Sequence, residues 1–230
     1  MIVHGMNNRM SDLILPLILA SLLFVLSCKQ QENRPVGDEQ NSVPEYEGTI
    51  IAMGDSLTAG LGVAVDDAYP ARLEQLLQEA GYNWQVINGG ISGETSSGAL
   101  SRTRWILARH PDIVILETGA NDALRGLPLS LVRENIMKTV QMFQEGGVKV
   151  VLAGMQIVQN LGADYTKRFA AIYPAVARER QVILIPFFLE GVAGDPSLNQ
   201  EDTIHPNQKG YRIVARTVLP YVVQAIKAEH

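Results

Sequence analysis

The chain has 230 residues, with 19 Lys and Arg against 24 Asp and Glu and a formal net charge of −5. Hydrophobic residues make up 47% and charged residues 19%, which suits one globular domain behind an apolar leader and excludes a disordered or fibrous chain. The acidic balance argues against a nucleic-acid partner. The single cysteine, Cys28, excludes an intrachain disulfide. None of His4, His110, His205 and His230 stands at metal-ligand spacing with another His or Cys, so no metal is expected.

Residues 13–26 form an apolar stretch broken only by Pro16 and Ser21. It is short for a membrane span and has the length of a signal-peptide core. The following Val25-Leu26-Ser27-Cys28 resembles a bacterial lipobox, with Cys28 as the lipidated residue. An uncleaved anchor and an ordinary cleaved secretory peptide are the alternatives. Residues 29–48 are polar, include Pro35 and Pro44, and read as a flexible tether. The expected organisation is therefore leader 1–28, tether 29–48 and folded domain 49–230, in a protein that is exported and either periplasmic or membrane-anchored.

From residue 49 onward, short apolar runs alternate with amphipathic segments. Thr49-Ile50-Ile51-Ala52-Met53 reads as a first strand, followed by strands over 84–88, 112–118, 148–154 and 182–186. Helices are expected over 69–80, 95–109, 130–145, 164–179 and 207–227, with Gly81 stopping the first and Ser130 capping the third. Near-continuous apolar strands separated by helices indicate a parallel sheet covered on both faces. With right-handed crossovers this is a three-layer α/β/α domain, a flavodoxin-like doubly wound five-stranded parallel sheet.

The carboxyl ends of such strands share one edge, where ligands bind. Ser56, in Gly54-Asp55-Ser56-Leu57-Thr58, follows the first strand. Gly93 follows the second and Asn121 the third, while Asp202 and His205 lie in a longer loop after the fifth. Each motif taken alone also has an ordinary reading. Gly-Asp-Ser and Asn-Asp make good turns, and Asp-x-x-His-Pro could start a helix with Pro206 in its first turn. A nucleophile, a base, a carboxylate and an amide converging on one crevice point instead to serine hydrolysis. Asp55 and Asp122 read as loop-fixing acceptors, and Glu117, inside the third strand, has no assigned catalytic role.

These blocks resemble the SGNH, or GDSL, hydrolase superfamily. The matching residues are Gly54-Asp55-Ser56-Leu57, Asn88-Gly89-Gly90-Ile91-Ser92-Gly93-Glu94-Thr95, Gly119-Ala120-Asn121-Asp122 and Asp202-Thr203-Ile204-His205. Ile91 to Thr95, Ala171-Ile172-Tyr173-Pro174 and Pro186-Phe187-Phe188 are similar to the bacterial thioesterase I/lysophospholipase/arylesterase group. The resemblance implies Ser56 as nucleophile, His205 as base and Asp202 as its orienting carboxylate. It implies an oxyanion hole of the Ser56 and Gly93 amides and the Asn121 side chain, an acyl-enzyme intermediate, and no metal or organic cofactor. It also implies a small-molecule or lipid acyl-ester substrate.

A monomer is expected. Ala120 departs from the glycine common in the family, and Gly89-Gly90 replaces larger residues, which is expected to loosen the oxyanion loop. Ile157, Val158 and Leu161 follow the fourth strand, where they line an acyl groove or simply pack the loop. A carbohydrate O-deacetylase and a non-catalytic binding module on the same sheet are the competing functions.

Overall fold

The computed structural model describes residues 45–157 and 162–228, which belong to the unit Pro44–His230. Cys28, Val158 and Leu161 lie outside the described residues, as do the leader and most of the tether. Strand β1 (Gly48–Gly54) starts one residue earlier than expected. Glu47 already donates its N–H to the Asn83 carbonyl at 2.8 Å, and the Asn83 amide donates to the Glu45 carbonyl at 2.8 Å.

The remaining strands are β2 (Trp84–Gly90), β3 (Ile113–Leu116), β4 (Lys149–Ala153) and β5 (Ile183–Ile185). All neighbours pair in parallel, in the order β2-β1-β3-β4-β5. The direction of winding reverses between β1 and β3, so the crevice of this sheet opens above those two strands.

Helix α1 is a single turn, Ser56–Ala59, followed by α2 (Tyr69–Glu79), α3 (Ser96–Leu107), α4 (Ala120–Leu124) and α5 (Leu129–Glu145). Then come α6 (Ala163–Ala170), α7 (Ile172–Arg180) and the long α8 (Gln208–Lys227). Helices α2 and α8 pack together on one side of the sheet, and α3, α5 and α7 on the other. Ile113, Val114, Ile115 and Leu116 are 0% exposed, as a strand covered on both faces requires. Burying each such side chain contributes about 1.5–3 kcal/mol relative to leaving it in water.

Two helical expectations are corrected. Pro128, not Ser130, occupies the N-cap of α5, and Ser130 lies inside the first turn. The single helix expected over 164–179 is two helices that meet at Ala171. Pro174 has no N–H for the Ala170 carbonyl, and its ring clashes with a carbonyl one turn back, so a continuous helix breaks there.

Candidate active site

Ser56 sits where β1 turns into α1. Asp55 caps that turn, its Oδ1 accepting the Leu57 N–H at 2.9 Å. The sequence places Ser56 in a turn; in the structure it is the first residue of a helix and is 9% exposed.

Its Oγ lies 2.9 Å from His205 Nε2, and His205 Nδ1 lies 2.6 Å from Asp202 Oδ2. Asp202 Oδ1 accepts the N–H groups of Ile204 at 2.9 Å and His205 at 3.0 Å. Thr203 takes a left-handed φ of 61° between them, and this folds the four-residue stretch so that one carboxylate reaches both backbone and ring. Burial opposes ionisation of Asp202. The His205 backbone and ring and the Ile204 N–H outweigh it and hold the Asp202 carboxyl down to about 2.

The candidate donors follow the ends of β1, β2 and β3. Asn121 Nδ2 donates to Asp55 Oδ2 at 2.8 Å, which orients the amide and leaves its second N–H for the crevice. The Ser56 and Gly93 amides donate to no acceptor among the described residues, and both residues line the crevice. Gly93 has φ +78°, and an added Cβ would come no closer than 3.7 Å to any atom outside its own chain neighbours. Conformation rather than space therefore demands glycine there.

The loop carrying Gly93 is braced on both sides. Glu94 takes Nε and Nη2 of Arg102 at 2.6 and 2.7 Å, and Arg102 also reaches the Gly54 carbonyl at 3.3 Å. Arg125 donates to the Gly93 carbonyl at 2.7 Å. Asp122 accepts the Ser96 N–H and hydroxyl, both at 2.7 Å, and so ties α4 to α3.

Asp55 and Asp122 thus hold loops, as their sequence context suggested. Ala120 opens α4 and is not among the positive-φ residues; Gly119, with φ +105°, makes the sharp turn instead. The alanine is therefore tolerated. The glycine pair tightens the site, contrary to expectation: a Cβ on Gly90 would lie 2.2 Å from the Ala59 nitrogen. Only glycine lets the end of β2 touch α1.

The crevice has a volume of about 250 Å³. Its polar floor carries Ser56, Gly93, Asn121 and His205, and its apolar wall Leu57, Leu61, Ala120, Leu124 and Ile204. Leu61, Leu124 and Ile204 are between 45% and 48% exposed. Sequence reasoning missed all three. Their signal was proximity: Leu124 lies one helical turn beyond Asn121, and Ile204 lies inside the Asp-x-x-His stretch. Ile157 is half-buried against the core and is not among the crevice residues. Among the described residues no group of three or more His, Cys, Asp or Glu side chains could hold a metal ion.

A Ser–His–Asp hydrogen-bonded chain at the carboxyl edge of a doubly wound parallel sheet, with Gly93 and Asn121 lining the same crevice, has the arrangement that the SGNH resemblance implies. Comparison with known proteins agrees. Residues 52–213 match the model of the GDSL-like lipase/acylhydrolase family. The chain is 40% identical over 159 residues to esterase TesA of Pseudomonas aeruginosa, covering 69% of this chain and 79% of that one. It is 35% identical over 168 residues to thioesterase 1/protease 1/lysophospholipase L1 of Escherichia coli, covering 73% and 79%.

The crystal structure of the psychrotrophic esterase EstA from Pseudoalteromonas, inhibited by monoethylphosphonate, superposes with a TM-score of 0.75. That comparison is at 30% identity and covers 79% of this chain and 100% of EstA. The chain belongs to the GDSL-like lipase/acylhydrolase family and is a carboxylic ester hydrolase.

Proposed function

We propose that the protein hydrolyses acyl esters through a covalent intermediate on Ser56. The observation that carries this reading is the unbroken hydrogen-bonded chain Ser56–His205–Asp202 at the mouth of a crevice that also presents three donors. A serine hydroxyl is a weak nucleophile until a base takes its proton. His205 Nε2 accepts it as Oγ attacks the acyl carbonyl, and Asp202 steadies the ring and the imidazolium that forms. The carbonyl oxygen becomes an oxyanion facing the Ser56 and Gly93 amides and the second N–H of Asn121. His205 returns the proton to the leaving group, and a water that it deprotonates then releases the acid from Ser56.

The acyl chain runs along Leu61, Leu124 and Ile204, not along Ile157. Each buried methylene contributes up to about 0.8 kcal/mol, so the specificity constant rises over the first few carbons. Short-to-medium acyl esters are the substrates, with some thioester or lysophospholipid cleavage. The leader supports export, and Cys28 supports a lipid tether on a monomeric enzyme. No helix among the described residues is long and apolar enough to cross a membrane.

A fluorophosphonate probe followed by peptide mass spectrometry tests the nucleophile: modification at Ser56 is expected, and its absence in folded protein overturns the reading. An acyl-chain series tests the wall, and a strict preference for acetyl groups on sugars would favour the deacetylase instead. Mass spectrometry of the mature amino terminus tests Cys28, where a free thiol removes the lipid tether.

A further inference from the structure

Glu117 follows β3 directly beneath the Ser56 turn and is fully buried. The Ser56 chemistry does not use it. Its Oε2 accepts the Asp55 N–H at 3.0 Å and the Thr58 hydroxyl at 3.0 Å. Its Oε1 faces no donor among the described residues. An unpaired carboxylate oxygen in an apolar core is costly, so the arrangement calls for an explanation.

The glycine of the first motif makes room for this contact. A Cβ on Gly54 would lie 2.5 Å from Glu117 Oε2 and 2.1 Å from Thr58 Oγ1. The Asp55 carboxyl, 2% exposed, belongs to the residue whose N–H Glu117 accepts, and its charge acts on the Glu117 carboxyl. Two ionised carboxylates buried on neighbouring groups repel each other, which favours a proton on one of them.

The surroundings say which one. Asp55 accepts the Leu57 N–H and the Asn121 amide and lies near His205, all of which favour its anion. Glu117 meets no cation. Burial first, and then the Asp55 charge, push its carboxyl well above the usual range. The other titratable groups acting on this site from α2, α7 and α8 are the phenols of Tyr69, Tyr173 and Tyr211, which burial also pushes up.

We propose that Glu117 is a positioning residue that works as a neutral acid. Its Oε2 pins the peptide that precedes Ser56, and its proton is shared with Asp55, whose anion aims the Asn121 amide. Glu117 touches no substrate; it acts through Ser56 and Asn121. The inference rests on the Ser56 reading above.

The test compares wild type with Glu117→Ala and Glu117→Gln on p-nitrophenyl butyrate, with folding checked by near-ultraviolet circular dichroism. Glu117→Ala should lower kcat roughly 10- to 100-fold while KM changes less than about threefold, because small misplacements of reacting groups are costly. Glu117→Gln should recover kcat to within about fivefold of wild type, since its amide can donate to Asp55 and its carbonyl can accept the Asp55 N–H. A Gln variant as impaired as Ala, or an Ala variant as fast as wild type, overturns the proposal.

Thermal unfolding against pH tests the proton itself, using the Gln variant even if Ala fails to fold. A raised carboxyl stabilises the fold below its ordinary value of 4.5 and loses that contribution as pH rises toward its buried value. Wild type should therefore lose ground to Glu117→Gln as pH increases above about 4.5. A difference that stays flat with pH shows an ionised Glu117 and overturns the proposal. If the probe leaves Ser56 of wild type unlabelled, the Ser56 reading fails, and the unfolding comparison still decides whether Glu117 is neutral.

Discussion

Ser56 is held from two sides, and the two sides are built differently. Its inner side is buried and long-range. Glu117, 62 residues from Asp55 in sequence, accepts the Asp55 N–H. Asn121 reaches Asp55 across 66 residues, and Gly90 presses against Ala59. Its outer side is local and partly exposed: Asp202 orients His205 three positions away, and the Asp202 side chain is 44% exposed. Damage to the inner side should therefore cost stability and activity together, because a buried contact is shared by fold and chemistry. Damage to the outer side should cost activity alone.

The largest effect is expected where the two sides meet. Ser56→Ala should lower kcat by on the order of 10⁶ with an unchanged thermal midpoint. A folded variant that keeps a tenth of its turnover would mean that neither side serves a nucleophile. Asp202→Ala, on the outer side, should cost about 10⁴ in kcat and leave the melting temperature nearly unchanged. A large drop in stability would show that the exposed loop supports the fold and would erase the distinction. The pH dependence sharpens the same point. With its carboxyl held down to about 2, Asp202 stays ionised as acid is added. Its small contribution to stability is present above its ordinary 3.8 and lost only as pH falls through about 2. Acid should thus not remove turnover through Asp202 until the pH approaches about 2, and Asp202→Asn should lower activity at every pH above that.

Asn121 belongs to the inner side but also lines the crevice, so Asn121→Ala tests both. The substitution removes the partner of Asp55 and, on the proposed function, a donor to developing charge. Turnover should fall by about 10²–10³ with a smaller change in KM, and a modest loss of stability should accompany it in chemical denaturation. An unchanged kcat would reduce Asn121 to a turn residue. The smallest effect on chemistry is expected at Gly90, which meets the inner side through α1. Gly90→Ala should cost about 1–3 kcal/mol of stability through overpacking, with activity falling only as far as α1 shifts. Full stability there would mean that β2 and α1 are not held as tightly as their spacing requires.

Much of this site was legible in the chain. Alternating apolar runs and helical patterns are local signals, and they yielded five parallel strands and the edge at which Ser56, Gly93, Asn121, Asp202 and His205 would meet. The Asp-x-x-His spacing encodes its own geometry, because the partners lie in one loop and no distant register has to be known. Ser130 and the helix over 164–179 went wrong for a local reason, since Pro128 and Pro174 override the pattern around them. The placing of Ile157 beside the crevice failed for another. Ile157 is apolar and follows a strand, but whether such a residue faces the core or the crevice depends on how its loop folds back.

Composition and periodicity by themselves determined the fold class and the order of the strands, because each depends on residues close together in the chain, and the motifs with their resemblance implied which groups react. Only the tertiary structure decided that Gly90 lies against Ala59, that Leu61, Leu124 and Ile204 line the crevice, and that Glu117 accepts the Asp55 N–H. Those contacts join residues brought together by sheet register and helix packing. No local pattern records which atoms will come within 3 Å once β1, β2 and β3 lie side by side.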